Sequence, residues 1–414
     1  MYVSGRRIAT NTGSDLKSQR RHRPDYILPI LAICLTVAGL IVLFAISPAL
    51  SAQKNVAENY FINRQFIAVL LSVIVFFAVG KLPLNNWRYL EKPLIIISAI
   101  SAIAVRLFGE QINGAYRWIQ VGGLSFQPAE LIKFTLLLWL ATFFADRIKN
   151  NKLADMKETI VPLIVALLTI GFVVAVLQSD LGSTVVMVMM MVAMAFVAKL
   201  PMMRIAMVGA ILLSLMVLVI SATPYRRQRL KTFANPSADC QSTGYQTCQA
   251  LIAVGSGGVF GLGLARGVQA YGYLPEAAND SIFAIYAEKF GFFGTTILLG
   301  LMLALFSRLV KIAERAPDDY TKLIVVGVIT WFSIQSMINI GAMLGLIPLK
   351  GITLPFISYG GTSLIFVTGA LGLVFNISHY TDFRVSKYKG AGHDDSIGGR
   401  RNRRAYTTTV SRRS

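Results

Sequence analysis

Tyr273-Leu-Pro-Glu-Ala-Ala-Asn-Asp280 runs directly into the apolar segment Ser281-Ile-Phe-Ala-Ile-Tyr-Ala287. Two carboxylates, Glu276 and Asp280, therefore stand at the start of a hydrophobic stretch. An acidic group held where water meets hydrocarbon is energetically costly, and such groups usually serve a function. The junction predicts a membrane helix that is entered from an acidic, functional loop.

The composition of the 414-residue chain is that of a protein that crosses a membrane many times. Hydrophobic residues make up 55% of the chain and charged residues only 14%, whereas soluble domains carry about 25% charged residues. The formal net charge of +20 could suggest nucleic-acid binding. However, the basic residues lie mainly in the tails and between apolar runs, which is the orientation signal of membrane proteins. Nucleic acid is therefore not an expected partner.

Ten apolar segments approach the roughly 20 residues that a helix needs to cross the hydrocarbon. They are residues 26–50, 65–82, 93–109, 128–146, 159–178, 184–200, 203–222, 282–307, 322–345 and 363–383. An even number of spans places both termini on one side of the membrane. With cytoplasmic termini, inner loops and tails hold about 28 Lys and Arg and outer loops about 9, as the positive-inside rule expects. The predicted fold is all-α and integral to the membrane.

The segments between the spans predict a simple domain organisation. Residues 26–384 form one membrane domain with no soluble module. Residues 1–25 and 385–414 are polar and basic, and we expect disordered cytoplasmic tails there. The largest outer loop, residues 223–281, joins spans seven and eight, and a loop of this length is usually functional or disordered.

Two of the three cysteines, Cys240 and Cys248, lie in this outer loop. The segment between them is long enough for the two cysteines to approach each other, and an oxidising exterior would permit a disulfide. The sequence alone leaves the reduced pair equally open. No His lies nearby, so the spacing does not indicate a zinc site.

A buried charge pair is predicted at Gln127-Pro-Ala-Glu130-Leu-Ile-Lys133, where the fourth span starts. Pro128 suits a first helical position. Glu130 and Lys133 are three residues apart, so they share a helix face and can pair. The pair either neutralises itself and stabilises the bundle or forms part of a polar cavity wall. Intramembrane charges usually face a cavity or a partner, which favours the cavity.

Two aspartates stand at predicted helix starts. Asp180 follows Gln178 at a turn between two spans and either caps the next helix or faces a central cavity. Asp280 is also placed to cap a helix that starts near Ser281, and the helix dipole would stabilise its ionised form. Glu276, four residues earlier, could divide acid and base roles with it, as paired carboxylates do in glycoside chemistry.

Three further features complete the outer face: Arg117 next to Trp118, Lys350, and the glycine-containing run Ser358-Tyr-Gly-Gly-Thr-Ser363. Glycines allow close backbone approach, which suits a phosphate or a sugar as well as an ordinary turn. Trp at this depth is often only a membrane-interface anchor. Each signal is weak alone, but their convergence on one membrane face indicates a single site.

The order of these motifs resembles the SEDS family, the shape, elongation, division and sporulation proteins, and within it the division-type members. The resemblance covers residues 26–384. The matching motifs are Asn113-Gly-Ala-x-Arg-Trp-Ile119, Gln127-Pro-x-Glu-Leu-x-Lys133, Gln178-x-Asp-Leu-Gly182, Asn235-Pro-x-Ala-Asp239, Gly244-Tyr-Gln246, Ala253-x-Gly-Ser-Gly-Gly258, Tyr273-Leu-Pro-Glu-Ala277, Ile282-Phe-Ala284 and Leu354-Pro-Phe-Ile-Ser-Tyr-Gly-Gly361.

What the resemblance implies is a peptidoglycan glycosyltransferase that polymerises lipid II, a disaccharide-pentapeptide on undecaprenyl pyrophosphate, with inversion at the anomeric carbon. The family's catalytic Asp falls on Asp280, which would be the general base for the acceptor hydroxyl. The predicted substrate-binding residues are Glu130, Lys133, Asp180, Glu276, Arg117, Lys350 and Ser358. The leaving pyrophosphate needs positive charge, from Lys133, Lys350 and Arg117 or from a divalent cation such as Mg²⁺ or Mn²⁺.

The resemblance also implies partners and a location: a class B penicillin-binding protein transpeptidase, other division proteins, and the septum of a bacterial plasma membrane. The chain departs from the family pattern at Ala278 and Asn279, where His and Thr are usual, and at Gly272 and Ala270. Two alternatives stay open, a flippase for the lipid-linked precursor and a division scaffold without activity. The candidate polar groups crowd the outer half of the bundle, which favours chemistry over transport.

Overall fold

Helices dominate the computed structural model, which describes residues 22–381 apart from 113–114, 122–123, 222–226, 229–232, 234–239 and 243. The described residues belong to one compact unit that ends at Thr381. The helices are α1 (Ile27–Gln53), α2 (Tyr60–Lys81), α3 (Leu84–Phe108), α4 (Pro128–Lys149), α5 (Met156–Leu177), α6 (Leu181–Val197), α7 (Met202–Ser221), α8 (Tyr245–Ser256), α9 (Ile282–Glu314), α10 (Asp319–Met343) and α11 (Gly361–Ser378).

Seven helices within the described ranges are long and apolar enough to cross a membrane, namely α1, α2, α4, α5, α9, α10 and α11. The other three predicted spans overlap helices α3, α6 and α7. A helical, multi-pass membrane protein is therefore confirmed. The count of ten crossings and the side on which the termini lie stay predictions.

The prediction of an all-α fold is wrong between α3 and α4, where three antiparallel strands form a small sheet. The strands are β1 (Glu110–Ile112), β2 (Ala115–Val121) and β3 (Leu124–Phe126), in the order β1-β2-β3. Tyr, Trp, Ile and Val in β2 favour extended structure. Asn-Gly and Gly-Gly stand between the strands, and two-residue connections of this composition are a hairpin signal.

Apolar side chains on the outside of the bundle mark the surface that faces lipid. Phe44 is 70% exposed, Leu70 63% and Ile100 61%. Exposed apolar patches on successive helices would be unfavourable in water. Helix α10 has the opposite character, because it packs against α4, α6 and α9 and its Trp331 and Phe332 are fully buried. Helix α10 is therefore the central helix of the site described below.

The end of the predicted N-terminal tail packs onto the bundle. Asp25 is buried, its backbone N–H donates to Ser378 Oγ at 3.0 Å, and its carboxylate pairs with Arg308. Residues 1–21 and 385–414 of the predicted tails lie outside the described residues, as do residues 382–384 of the predicted membrane domain and much of the first part of the outer loop.

Candidate active site

The segment that carries Asp280 is held through its main chain. Three successive backbone carbonyls, directly before α9, each accept a hydrogen bond from a residue of another segment. The pairs are Ala278 O with Tyr359 N–H (2.9 Å), Asn279 O with Ser358 Oγ (2.6 Å) and Asp280 O with Asn339 Nδ2 (2.7 Å). The predicted site residue Ser358 thus acts here on the backbone beside Asp280.

The alternative that Asp280 caps helix α9 is wrong, because the cap position falls on the next residue. Helix α9 begins at Ile282, and Ser281 precedes it without a side-chain capping bond. Ser281 Oγ donates instead to Pro275 O at 2.9 Å and accepts from Gln246 Nε2 at 3.2 Å. Asp280, which is half-buried, therefore lies one residue before the cap position of α9.

Arg117 and Asp280 meet at Gly351. A Cβ atom at Gly351 would lie 3.4 Å from Arg117 Nη1 and 3.4 Å from Asp280 Oδ2, so the two charged groups are at most about 7 Å apart. Arg117 is fixed from the other side, because Nε and Nη2 donate to the carbonyls of Gln178 and Ser179 at 3.4 and 2.5 Å. The sheet thereby delivers a guanidinium to the candidate base.

Asp180 has the capping role that one of its two interpretations predicts. Its Oδ1 accepts from the Ser183 N–H at 3.0 Å and its Oδ2 from Ser183 Oγ at 2.8 Å. Gln127 Nε2 donates to the same Oδ2 at 3.4 Å. The carboxylate is 2% exposed, and the start of α6 that it fixes contacts the next site segment.

Lys350 belongs to that segment. A Cβ at Gly182, in the first turn of α6, would lie 3.4 Å from Lys350 Cβ and 2.4 Å from the Ile352 side chain. Lys350 is half-buried and adjoins Gly351, where Arg117 and Asp280 meet. The structure thus brings five predicted residues to one end of the bundle: Arg117, Asp180, Asp280, Lys350 and Ser358.

The predicted pair Glu130 and Lys133 lies deeper in the bundle and is enclosed. Lys133 Nζ donates to Glu130 Oε1 and to Gln335 Oε1, both at 2.8 Å. The ammonium also lies 5.1 Å from the centre of the Trp331 ring. Lys133 is 0% exposed and Glu130 3%. Pairing is confirmed, whereas contact with a substrate stays a prediction.

Glu276 lies at the surface in a strained turn. Its φ is +51°, a conformation that residues other than glycine adopt rarely. Its carboxylate accepts from Asn279 Nδ2 at 2.5 Å, and its carbonyl accepts from the N–H groups of Asn279 and Ser281. Glu276 therefore shapes the loop in front of Asp280, and its predicted contact with substrate stays a prediction.

An apolar groove beside the site carries a cation that the sequence interpretation did not single out. The groove has a volume of about 400 Å³ and lies between α2, β3 and α11, with Arg64, Ser125, Tyr359 and Thr362 among its lining residues. Burial raises the pKa of the Tyr359 phenol above its ordinary value, and nearby Arg64 acts in the opposite direction. The phenol therefore stays protonated and can donate a hydrogen bond. No spacing rule places Arg64 beside Tyr359.

A second buried pair, Glu288 and Lys289, clamps the outer loop to α9. Glu288 Oε1 accepts from the N–H groups of Val268 and Gln269 at 2.8 and 3.0 Å. Lys289 Nζ donates to the Leu264 carbonyl at 2.9 Å. Both side chains are 1% exposed. Two charged residues in an apolar run indicate from the sequence that Glu288 and Lys289 need partners, but the sequence does not indicate that these partners lie in the outer loop.

Helix α9 is broken directly after this clamp. Gly291 has φ 64° and ψ −164°, and a Cβ there would lie 2.2 Å from Gly261 N. The N–H groups of Phe292 and Phe293 donate to the carbonyls of Gly258 and Val259. The glycine-rich part of the outer loop thus pairs with the broken helix, which only a residue without a side chain allows.

The outer loop is also closed covalently. Cys240 and Cys248 form a disulfide, so the open question from the sequence is answered in favour of the bridge. Cys248 lies in α8, which packs against α9. The bridge therefore ties the loop to the first turn of a helix that supports the Asp280 segment.

The profile of the FtsW/RodA/SpoVE family, described as cell cycle proteins, matches residues 25–383. The chain belongs to this family. The match starts at Asp25, the residue that the structure shows packed against the bundle. The resemblance to SEDS proteins is therefore confirmed over nearly all of the described residues.

Several known proteins are similar to this chain over most of its length and most of their own. Stage V sporulation protein E of Bacillus subtilis (strain 168) is 37% identical over 366 residues, which are 88% of this chain and 99% of that protein. The "Probable peptidoglycan glycosyltransferase FtsW" of Coxiella burnetii is 34% identical over 363 residues, 86% of this chain and 97% of that protein. A chain of a solved peptidoglycan synthase complex, described as coordinating polymerization and crosslinking, is 29% identical with a TM-score of 0.71 and covers 86% of this chain and 97% of its own length.

The departures from the family pattern do not remove what holds Asp280. Ala278 and Asn279 replace the usual His and Thr, but both positions are fixed through backbone carbonyls. A backbone carbonyl is present whatever the side chain. The hydrogen bonds to the carbonyls of residues 278 and 279 therefore do not depend on which side chains stand at these two positions.

Proposed function

We propose that this chain is an inverting peptidoglycan glycosyltransferase that polymerises lipid II at the outer face of the bacterial plasma membrane. The observation that carries the proposal is the meeting of Asp280 with Arg117 around Gly351, at the end of the bundle where Lys350 also lies. A half-buried carboxylate beside cationic side chains is the arrangement that sugar transfer from a pyrophosphate requires. The names of related proteins support the same activity.

Asp280 acts as the general base. Its carboxylate accepts the proton of the acceptor sugar hydroxyl while that oxygen attacks the anomeric carbon of the donor. The bond from the anomeric carbon to the pyrophosphate oxygen breaks, and the pyrophosphate leaves with the electron pair. Attack from the face opposite the leaving group inverts the anomeric configuration. Hydrogen bonds to the backbone of residues 278–280 keep the carboxylate in place for this step.

Arg117 and Lys350 stabilise the negative charge that develops on the pyrophosphate. The Arg117 guanidinium is held at Nε and Nη2 by two carbonyls, so its Nη1 side is presented toward Gly351. A guanidinium fixed in this way interacts with phosphate oxygens without reorganising during the reaction. Glycine at position 351 leaves the space between the cation and the base for substrate atoms.

The groove next to Tyr359 takes the first part of the polyprenyl chain. It is lined mainly by apolar side chains of α2 and α11, and Arg64 adds one positive charge. The groove lies next to the segment of the base, because Tyr359, which lines the groove, donates its backbone N–H to the Ala278 carbonyl. An apolar channel with a cation suits a lipid that carries a pyrophosphate.

The finer details follow from the same proposal. Ten crossings with cytoplasmic termini place Asp280 outside the cell, where cell-wall polymer is made. A class B penicillin-binding protein transpeptidase would cross-link the strands, together with other division proteins at the septum. Among the described residues, no group of three or more His, Cys, Asp or Glu could hold a metal. The Mg²⁺ or Mn²⁺ expected from the sequence stays a proposal, and neither the proton transfer to Asp280 nor the charge stabilisation by Arg117 and Lys350 depends on it.

The flippase alternative is less well supported. A transporter needs polar groups through the depth of the bundle, but α4 and α6 pack with fully apolar contacts beyond the Glu130–Lys133 pair. Leu137, Met190 and Met194 are 0% exposed there and surround Gly327 of α10. The polar side chains of the site instead gather at the end that carries Asp280.

The test is polymerisation of purified lipid II by the detergent-solubilised protein, with and without a class B transpeptidase. Glycan strands longer than the disaccharide, resolved on gels, are the expected product. A parallel assay with labelled lipid II in vesicles measures translocation between leaflets. Translocation without strands, under conditions that include the partner and divalent cations, would contradict the proposed activity and support the transporter.

A further inference from the structure

Helix α10 presents a row of hydrogen-bonding side chains on one face. Trp331, Gln335 and Asn339 are spaced four residues apart, so they follow one another along a single side of the helix. All three are buried, with exposures of 0%, 0% and 1%. Most other residues of this helix are apolar, and the row therefore needs an explanation.

Gln335 occupies the middle of the row and joins three segments. Its Oε1 accepts from Lys133 Nζ and from Trp331 Nε1, both at 2.8 Å. Its Nε2 donates to the carbonyl and the hydroxyl of Thr353 at 2.9 and 3.2 Å. The amide uses both its acceptor oxygen and its two donor hydrogens in these contacts. It therefore ties α4 to the segment that follows Lys350.

Asn339 stands one turn closer to the site and joins two segments. Its Nδ2 donates to the carbonyl of Asp280 and to the carbonyl of Ile352, each at 2.7 Å. One side-chain amide thus fixes the main chain of the candidate base and the main chain next to Gly351. The first segment carries Asp280, and the second carries Gly351, the residue beside which the side chains of Asp280 and Arg117 lie.

We propose that Asn339 and Gln335 are positioning residues, which hold the Asp280 segment and residues 350–353 in one fixed arrangement and connect it to Lys133. The proposal rests on the role of Asp280 as general base. Neither amide touches the reacting atoms; both act through the backbone of the segments that do. On this view the buried Lys133 supports the site through Gln335.

The expected effect of losing Asn339 is a displaced base in an otherwise intact protein. A misplacement of about 1 Å can reduce a rate by about 100-fold. Because Asn339 Nδ2 donates to the carbonyls of Asp280 and Ile352, we expect kcat to fall by about 10- to 100-fold while KM changes by less than about twofold. Substrate-binding groups outside these two segments keep their positions.

The experiment compares Asn339→Leu and Asn339→Ala with a matched control in the full-length protein. Leu keeps the branched shape of Asn and removes the donor, while Ala also removes volume. Ser336→Ala is the control, because Ser336 is buried in the same helix and its hydroxyl donates to the carbonyl of Phe332, one turn back. Each variant is measured for kcat and KM with lipid II and for hydrogen–deuterium exchange in detergent.

The proposal expects faster exchange in the peptides that cover residues 274–281 and 350–358, in both Asn339 variants and not in Ser336→Ala. Unchanged exchange there, or an unchanged kcat, overturns it. Faster exchange along all of α10 with a matching loss of thermal stability also overturns it, because the role would then be general packing. Asp280→Asn is run alongside: if it is as active as wild type, the proposed function fails, and the exchange data still decide whether Asn339 holds the two segments.

Discussion

Removing one partner of the Glu130–Lys133 pair should destabilise the protein far more than removing both. Lys133 is fully enclosed and bonded at 2.8 Å to Glu130 and to Gln335. Lys133→Met leaves the Glu130 carboxylate buried without its counter-charge, which costs about 3–5 kcal/mol in comparable buried pairs. Replacing the whole pair by apolar residues of similar volume is often neutral or stabilising by about 1–4 kcal/mol.

The assay is a double-mutant cycle of Lys133→Met, Glu130→Leu and the combined variant. Unfolding is followed in detergent by denaturant titration, and lipid II polymerisation is measured on the same preparations. We expect both single variants to lose about 3–5 kcal/mol and the combined variant to recover most of that loss. We also expect the recovered variant to polymerise more slowly than wild type, because Gln335 loses its contact with Lys133.

Two results would refute this reasoning. Single variants as stable as wild type would mean that water reaches the pair and that the enclosure seen here is not its normal state. A combined variant that is both stable and fully active would mean that the pair is required neither for net stability nor for polymerisation. In that case neither a substrate contact nor support of Gln335 is needed.

Three further predictions concern the surroundings of the site. Gly291→Ala should destabilise the protein by at least about 1–3 kcal/mol, since φ is +64° and the added Cβ would meet the loop backbone; thermal unfolding measures it. Arg64→Gln should raise KM for lipid II by about tenfold with kcat within about twofold, because it removes the cation of the groove. Reducing the Cys240–Cys248 bridge should lower stability by about 2 kcal/mol and increase the intact mass by that of two hydrogen atoms.

Matched controls make these outcomes decisive. Gly300→Ala lies in the same helix as Gly291, but nothing stands within 4 Å of its added Cβ, so it should be neutral or slightly stabilising. If both glycine variants behave alike, the break in α9 is not required. Lys81→Gln, at the other end of α2, should leave KM unchanged, and an equal change would show a general charge effect. A mass that does not change on reduction would contradict the disulfide.

The helical segments and the paired charges could be predicted because their signals are local. The hydropathy of a segment depends only on its own consecutive residues, and each predicted span overlaps a helix. Glu130 and Lys133 pair because residues three apart share a helix face. Asp180 caps α6 because its carboxylate reaches the backbone three residues on. None of these contacts needs knowledge of another segment.

The parts that were missed depend on how distant segments meet. Gln335 and Asn339 lie in an apolar run, and no spacing rule tells which loop their amides will face. In the sequence, Arg64 is an ordinary cation near the start of a helix. Only the fold brings it beside Tyr359, almost 300 residues away. The assignment of the cap to Asp280 erred by one residue, which is the usual uncertainty of helix ends.

The small sheet was missed for a different reason. Its strands are only three and seven residues long, and they lie between two strong membrane helices. Asn113-Gly114 belongs to one of the family motifs, and Asn-Gly is also a hairpin signal. The consequence is functional, because β2 carries Arg117 to the site.

The most direct test of the central claim is polymerisation of purified lipid II by wild type and by Asp280→Asn, with the transpeptidase partner present. Asn keeps the shape of the side chain and removes its basicity, so the backbone contacts of residues 278–280 should persist. We predict glycan strands from the wild-type protein and a loss of at least about 100-fold in kcat for Asp280→Asn. Strands formed at equal rates by both proteins would contradict the assignment of Asp280 as the base.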